Sequence, residues 1–146
     1  MADPLSSAAS LIAVLGFSLQ SCKYLVGFFQ GIAGAPTHVR HNVLWLQALH
    51  STLSELHGLS KDIHFHCAHI ELPSGFNARI EECKTDLLET ESRIRRVSQN
   101  LQGTRMLQTW TRVKYSFAAD QWLANFFRRL QTYHTVFTLD LMTTQM

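Results

Sequence analysis

The sequence predicts an all-α protein: an antiparallel bundle of four to five helices that forms a single domain over residues 1–146. Apolar residues recur at steps of three and four along most of the chain, which places them on one face of successive helices. Only seven glycines and three prolines are present, too few for a β fold rich in turns. Because a narrow apolar stripe is buried only against another such stripe, we expect the helices to pack as a bundle.

The first helix is expected to begin at Asp3, as its N-cap, and Pro4, whose missing N–H and fixed φ are tolerated in a first turn. It then stays apolar for about seven turns and carries one charge, Lys23. Glycines and a proline between residues 31 and 36 are expected to end it. Its inward face is predicted to hold Leu5, Ala9, Ile12, Leu15, Leu19, Cys22, Val26 and Phe29.

The second helix is predicted to follow Thr37, a candidate cap, and to run for about twenty residues before a loop at about residues 58–75. The third helix repeats its apolar residues with a seven-residue period. Its other face carries ten charged residues between Arg79 and Arg96, acidic ones mostly first, which is the order that the helix dipole favours. We expect that face to be solvated. The inward residues of these two helices are predicted to be Val39, Val43, Leu46, Leu49, Leu53 and Leu56, then Phe76, Ile80, Cys83, Leu87, Thr90, Ile94, Val97 and Leu101.

Two further helices are predicted, a short one at about residues 107–117 and a last one at about residues 119–141. The last helix is predicted to turn inward Leu123, Phe126, Phe127, Leu130, Tyr133, Phe137 and Leu141. The first helix is different, because a helix that is apolar nearly all round is not stable in water. Two alternatives stay open for it: a central helix surrounded by the others, or a face that contacts a partner or a membrane.

Composition and charge argue against several classes of protein. The formal net charge of +2 is too small to indicate nucleic-acid binding. Three cysteines, Cys22, Cys67 and Cys83, leave one over after any pairing, which favours a reducing, cytoplasmic location. No positive n-region precedes the first apolar run, so a secretory signal is not expected. Polar residues also interrupt that run too often for a membrane span of about 18 to 20 residues.

A histidine-rich cluster supplies weak candidates for metal ligands, namely His64, His66, Cys67 and His69. Imidazole and thiolate are the ligands that zinc prefers, but no second Cys/His pair follows at zinc-finger spacing. The prediction is therefore no metal and no cofactor, with these side chains structural or adventitious. No nucleophile elbow, His-Glu-x-x-His motif or inward carboxylate pair can be read from the pattern, so no catalytic residue and no enzyme activity are predicted.

A basic surface with interleaved aromatic side chains is a candidate face for a membrane or a partner protein. Arginine and lysine side chains supply the charge, and tryptophans are the candidate anchors. The alternative places the aromatic rings in the core and the charges in water. The residues concerned are Trp110, Arg112, Lys114, Trp122, Arg128 and Arg129.

The opening residues 3–15 read Asp-Pro-Leu-Ser-Ser-Ala-Ala-Ser-Leu-Ile-Ala-Val-Leu. This block resembles the start of the fungal N-terminal domain of STAND signalling proteins, a domain also named for a cluster protein of azaphilone pigment biosynthesis. The charged third helix, Trp110 in a short helix, and residues 112–115 and 130–139 extend the resemblance over nearly the whole chain. The family is distantly similar to HeLo-type helical bundles, which act in fungal cell death at membranes.

The resemblance implies a non-enzymatic interaction or signalling domain that binds a protein partner or associates with itself. Two alternatives stay open: an accessory or regulatory protein of a fungal secondary-metabolite cluster, and a membrane-active bundle like the HeLo type. The chain lacks the Gly-x-x-x-x-Gly-Lys-Ser/Thr loop that holds nucleotide phosphates. No nucleotide partner is therefore expected.

Overall fold

The computed structural model describes residues 4–32, 34–66, 73–100 and 120–144, and these ranges contain helices and no strand. The helices are α1 (Pro4–Gln30), α2 (Thr37–His66), α3 (Phe76–Asn100) and α4 (Asp120–Thr144). The predicted all-α class is confirmed. The predicted short helix at residues 107–117 lies outside the described residues.

A short connection joins α1 to α2. α1 ends at Gln30, as predicted, and the connection that follows contains Gly34, whose φ of +74° lies in the left-handed region that favours glycine. The carbonyl of Pro36 accepts the first helical hydrogen bond of α2 from the Arg40 N–H, at 3.1 Å. Pro36 therefore occupies the position before the first helical residue, and the prediction of Thr37 as the cap was one residue too late.

α2 is longer than predicted. It continues through Gly58 to His66, so the prediction of a loop from residue 58 was wrong. The helix does not end at Gly58. In the turn that follows, Ser60 is buried and its hydroxyl donates to the Leu56 carbonyl at 2.9 Å. Tertiary packing here overrides the low helix propensity of glycine, a cost of about 1 kcal/mol.

The inward faces of α2, α3 and α4 agree with the predictions wherever the structure describes them. The predicted positions are buried, except that Tyr133 is half-buried against the core. The face of α1 was predicted only in part: Leu15, Cys22 and Phe29 are buried, but Ala9 is exposed. Other buried residues of α1 are Leu11, Val14, Ser18, Ser21, Leu25 and Phe28.

The first helix contacts each of the other described helices, including α4 through the rings of Phe29 and Phe127, whose centroids are 5.4 Å apart. Among the described helices, α1 packs mainly against α2 and α3, and α2 packs also against α4. α3 and α4 run antiparallel, because the start of α3 meets the end of α4, where Arg79 contacts Asp140, and its end meets the start of α4, where Arg93 contacts Trp122. The outward side of α1 carries Phe17, which is 56% exposed. Because residues 101–119 lie outside the described residues, both alternatives for α1 stay open: a surrounded helix, or a face that contacts a partner or a membrane.

Candidate interaction surface

Charged side chains join α3 to α4 in the middle of the bundle. The Arg129 guanidinium donates to both oxygens of the Asp86 carboxylate, from Nε at 2.7 Å and from Nη2 at 3.0 Å. The Tyr133 hydroxyl donates to the same carboxylate at 3.2 Å. Burial raises the pKa of the Tyr133 phenol, and the negative charge of Asp86 raises it further. The phenol therefore stays protonated at neutral pH and remains a donor.

A second ion pair joins the start of α3 to the end of α4. Nη2 of Arg79 lies 3.1 and 3.0 Å from the two oxygens of Asp140, and Nη1 donates to the Ser74 carbonyl at 3.1 Å. Nε of Arg79 is buried without a hydrogen-bond partner. Two arginines on opposite helices thus fix the register of α3 against α4.

The predicted basic and aromatic face is divided by the structure. Arg128 is exposed, whereas Arg129 is committed to Asp86. Trp122 is half-buried, stacks on Phe126 with the ring centroids 6.2 Å apart, and lies under a guanidinium from α3. Among the described members of that face, only Arg128 points freely outward.

The other predicted site residues fall outside what the structure describes. Trp110, Arg112 and Lys114 lie in the undescribed range 101–119, as Cys67 and His69 lie in 67–72. His64 and His66 belong to the last turn of α2, but their side chains are not described. Elsewhere in the described ranges, no group of three or more His, Cys, Asp or Glu side chains is placed to hold a metal ion.

The two described cysteines, Cys22 and Cys83, are buried and free. The Cys22 thiol donates to the Leu46 carbonyl of α2 at 3.2 Å. Burial raises the pKa of Cys22 to about 12 and raises that of Cys83 further. Both stay protonated at neutral pH, whereas a nucleophilic cysteine needs an accessible thiolate.

Two open grooves flank α3, each of about 580 Å³. The groove toward α4 is acidic, and the described residues that line it are Glu81, Glu82, Thr85, Asp86, Glu89, Arg129 and Tyr133. The groove toward α1 is more apolar, and its described lining residues are Gln20, Lys23, Tyr24, Gly27, Phe28 and Ser98. The Arg95 guanidinium of α3 lies 4.1 Å above the Tyr24 ring at this second groove.

The outward face of α4 carries two apolar side chains that the sequence analysis did not single out. Leu139 is 57% exposed and Met142, one turn later, is 60% exposed. The two residues are three positions apart and lie opposite the inward positions of the same helix. This pattern is the signal that would have identified them. Arg128 lies on the same side of α4, three turns earlier.

Comparison with protein families decides the family. The model described as pigment biosynthesis cluster protein PigL N-terminal matches residues 2–146. The chain belongs to this family. No curated protein and no solved structure matches it.

The apolar N-terminal helix of this PigL N-terminal chain also meets the length and composition of a membrane span. The segment Ala9–Gln30 qualifies, and 44% of its most apolar window is buried inside the bundle. The expectation that polar residues interrupt this run too often for a span was therefore wrong as regards length and composition. The core helix of a soluble protein meets the same criteria, so this single helix is weak support for a membrane location.

Proposed function

We propose that this PigL N-terminal domain is a non-enzymatic interaction module that binds another protein through the outward face of α4. The observation that carries the proposal is the exposed pair Leu139 and Met142. Contiguous apolar side chains on a soluble surface commonly mark a contact with another molecule. The ion pairs of Asp86 and Asp140 hold α4 in place from its other side, so the outward face is presented on a rigid element.

The test is proximity labelling in cells that express the protein natively, with the wild-type chain compared with Leu139→Ser combined with Met142→Ser. We expect a discrete set of labelled proteins that the double variant loses, because two serines remove the apolar contact. Leu44→Ser is the matched control, since Leu44 is a similarly exposed leucine on α2. Equal labelling by all three chains, with unchanged thermal midpoints, would contradict the proposal.

A membrane-active bundle is the second candidate, and the length and apolar composition of Ala9–Gln30 favour it. In this alternative, α1 leaves the bundle and inserts, while the exposed Arg128 contacts anionic lipid headgroups. Cosedimentation with anionic vesicles tests it. Capture that Arg128→Glu and high salt both abolish would support this alternative, and a chain that stays in the supernatant would exclude it.

The family's description adds a cellular setting to the module. The family is named for a pigment biosynthesis cluster protein, which supports an accessory or regulatory role beside the enzymes of secondary metabolism. The signalling role suggested by the resemblance to STAND proteins fits the same module. Deletion of the gene separates the two settings, because the accessory role predicts a changed metabolite profile under uninduced growth, whereas the signalling role predicts a change only after a stimulus.

A further inference from the structure

We propose that the outward face of α3 binds the same face of a second copy of this chain, with the two helices antiparallel about a two-fold axis. This inference goes beyond the proposed function, because it concerns a different helix from the α4 face. The surface, called the α3 stripe below, is exposed along its whole length. It comprises Glu81, Glu82, Thr85, Leu88, Ser92 and Arg96.

The order of side chains along the α3 stripe is self-complementary. Acidic residues come first, then Thr85, Leu88 and Ser92, and then a basic residue. Glu82 and Arg96 each lie seven residues from position 89, or about 10.5 Å along the helix at 1.5 Å per residue. An antiparallel copy centred there places each glutamate opposite the partner's arginine, twice by symmetry.

No side chain in the described part of the chain pairs with the two charges that would meet across the axis. Among the described residues, Glu82 and Arg96 make no ion pair, whereas Glu81 contacts Lys84 at 3.3 Å and Arg95 contacts Glu91 at 3.2 Å. Opposite charges in register favour one orientation of a helix pair and like charges disfavour the other. A parallel pairing would set glutamate against glutamate, so charge complementarity selects the antiparallel second copy.

The centre of the α3 stripe is small and mildly apolar. Thr85 and Ser92 flank Leu88, which is 37% exposed, and short side chains at these positions allow two helices to approach closely. Glu89 lies beside the axis, where it meets its own symmetry mate and opposes the pairing. One helix-on-helix contact also falls at the low end of interface sizes, below about 1,200 Å². The dimer is therefore weak, transient and sensitive to salt.

Charge reversal tests the pairing by sedimentation velocity of the full chain at low ionic strength over a range of concentrations. Glu82→Arg alone and Arg96→Glu alone each create two like-charge contacts, and we expect each to weaken the dimer by about tenfold or more, which corresponds to 1.4 kcal/mol. An equimolar mixture of the two variants restores both attractive contacts. The double variant Glu82→Arg with Arg96→Glu restores them within a homodimer.

The controls separate this pairing from general charge effects and from the proposed function. Glu55→Arg and Arg40→Glu reverse exposed charges on α2 and leave the dimer unchanged. Glu89→Gln removes the like-charge contact at the axis and strengthens the dimer, an effect opposite in sign to the reversals. A wild-type chain that stays monomeric at every concentration, or a mixture no more associated than its components, overturns the inference. Either result leaves the labelling experiment on α4 unaffected.

Discussion

The α1–α2 pair and the α3–α4 pair are joined in different ways. α1 and α2 approach closely enough for the Cys22 thiol to donate to the Leu46 backbone carbonyl at 3.2 Å, and small residues such as Ser18 and Ser21 line the buried side of α1. α3 and α4 are instead bridged by long side chains, with Arg79 and Arg129 reaching carboxylates on the opposite helix. Small residues allow a dry, close contact, whereas long charged residues hold two helices apart and leave a groove between them.

The difference predicts where stability and function reside. Burial of apolar surface contributes about 25 cal/mol per Å², so the close α1–α2 pair and the shared core supply most of the folding free energy. Exposed ion pairs contribute about 0 to 1 kcal/mol each because water and salt screen them. Charged residues of α3 and α4 are therefore expected to matter less for folding than the apolar core. The surfaces of these two helices are correspondingly more available for binding another molecule.

The largest expected effect is the loss of a core side chain at the α1–α2 contact. Leu46 is completely buried, and Leu46→Ala should lower the free energy of unfolding by about 3 kcal/mol, from lost burial and the cavity left behind. Urea unfolding followed by circular dichroism measures it. Leu139→Ala, on the exposed face of α4, is the control and should change stability by about 0.5 kcal/mol or less. Similar losses for the two variants would break the comparison.

The next effect concerns the buried thiols. In a Cys67→Ser background, Cys22 and Cys83 should react with a disulfide reagent at least about a hundredfold more slowly than in urea-unfolded protein, because burial removes both access and the thiolate. This protection is measured from the rate of absorbance change as the reagent releases its own thiol. Fast labelling of one thiol in native conditions would show that the bundle opens there, and the labelled cysteine identifies whether α1 or α3 moves.

A smaller effect is expected for the bridge between α3 and α4. Asp86→Ala leaves Arg129 and Tyr133 without their shared acceptor, and should cost about 1 to 2 kcal/mol in the free energy of unfolding. The expected cost already allows for solvent screening, because the Arg129 side chain is 44% exposed. A double-mutant cycle with Arg129→Ala measures the coupling directly. A loss as large as that of Leu46→Ala would mean that the charged bridge, rather than the apolar core, dominates stability.

The smallest effect is a pH dependence from α2. Burial lowers the pKa of His57 from its ordinary 6.5, and the positive charge of Lys61 lowers it further. The unfolded chain therefore binds a proton more readily than the folded chain, so stability falls as the pH drops through about 6.5. His57→Gln should reduce that fall, as measured by the thermal midpoint between pH 7.5 and 5.5. His41→Gln, at an exposed position of α2, is the control, and equal slopes for both variants would contradict the assignment.

The spacing of apolar residues was sufficient to identify the inward face of α3 but not that of α1. On α3 the apolar positions alternate with charges, so the inward stripe from Phe76 to Val97 is read directly. On α1 the apolar residues surround the helix, so the pattern did not fix which side faces the core, and Ala9 was placed inward although it is exposed. On such a helix, the neighbouring helices decide which side faces the core, and the spacing of apolar residues does not identify those neighbours.

The candidate surfaces were less accessible to prediction than the fold. Asp86 and Arg129 are 43 residues apart in sequence, so their pairing depends on the register of the two helices, which tertiary contacts set and sequence periodicity does not encode. Arg129 was accordingly grouped with Arg128 on one basic face, although Arg129 is paired with Asp86 of α3. The continuation of α2 through Gly58 was missed for a related reason, because tertiary contacts stabilise a turn that local propensity disfavours.

Sedimentation velocity of the full chain, at several concentrations and two salt levels, with and without anionic vesicles, tests the central claim most directly. The interaction module predicts a chain that stays in the supernatant when vesicles are present, and the α3 pairing adds a reversible monomer–dimer equilibrium that high salt shifts to monomer. A chain that sediments with the vesicles, with capture lost in Arg128→Glu, would contradict the account and establish the membrane-active alternative.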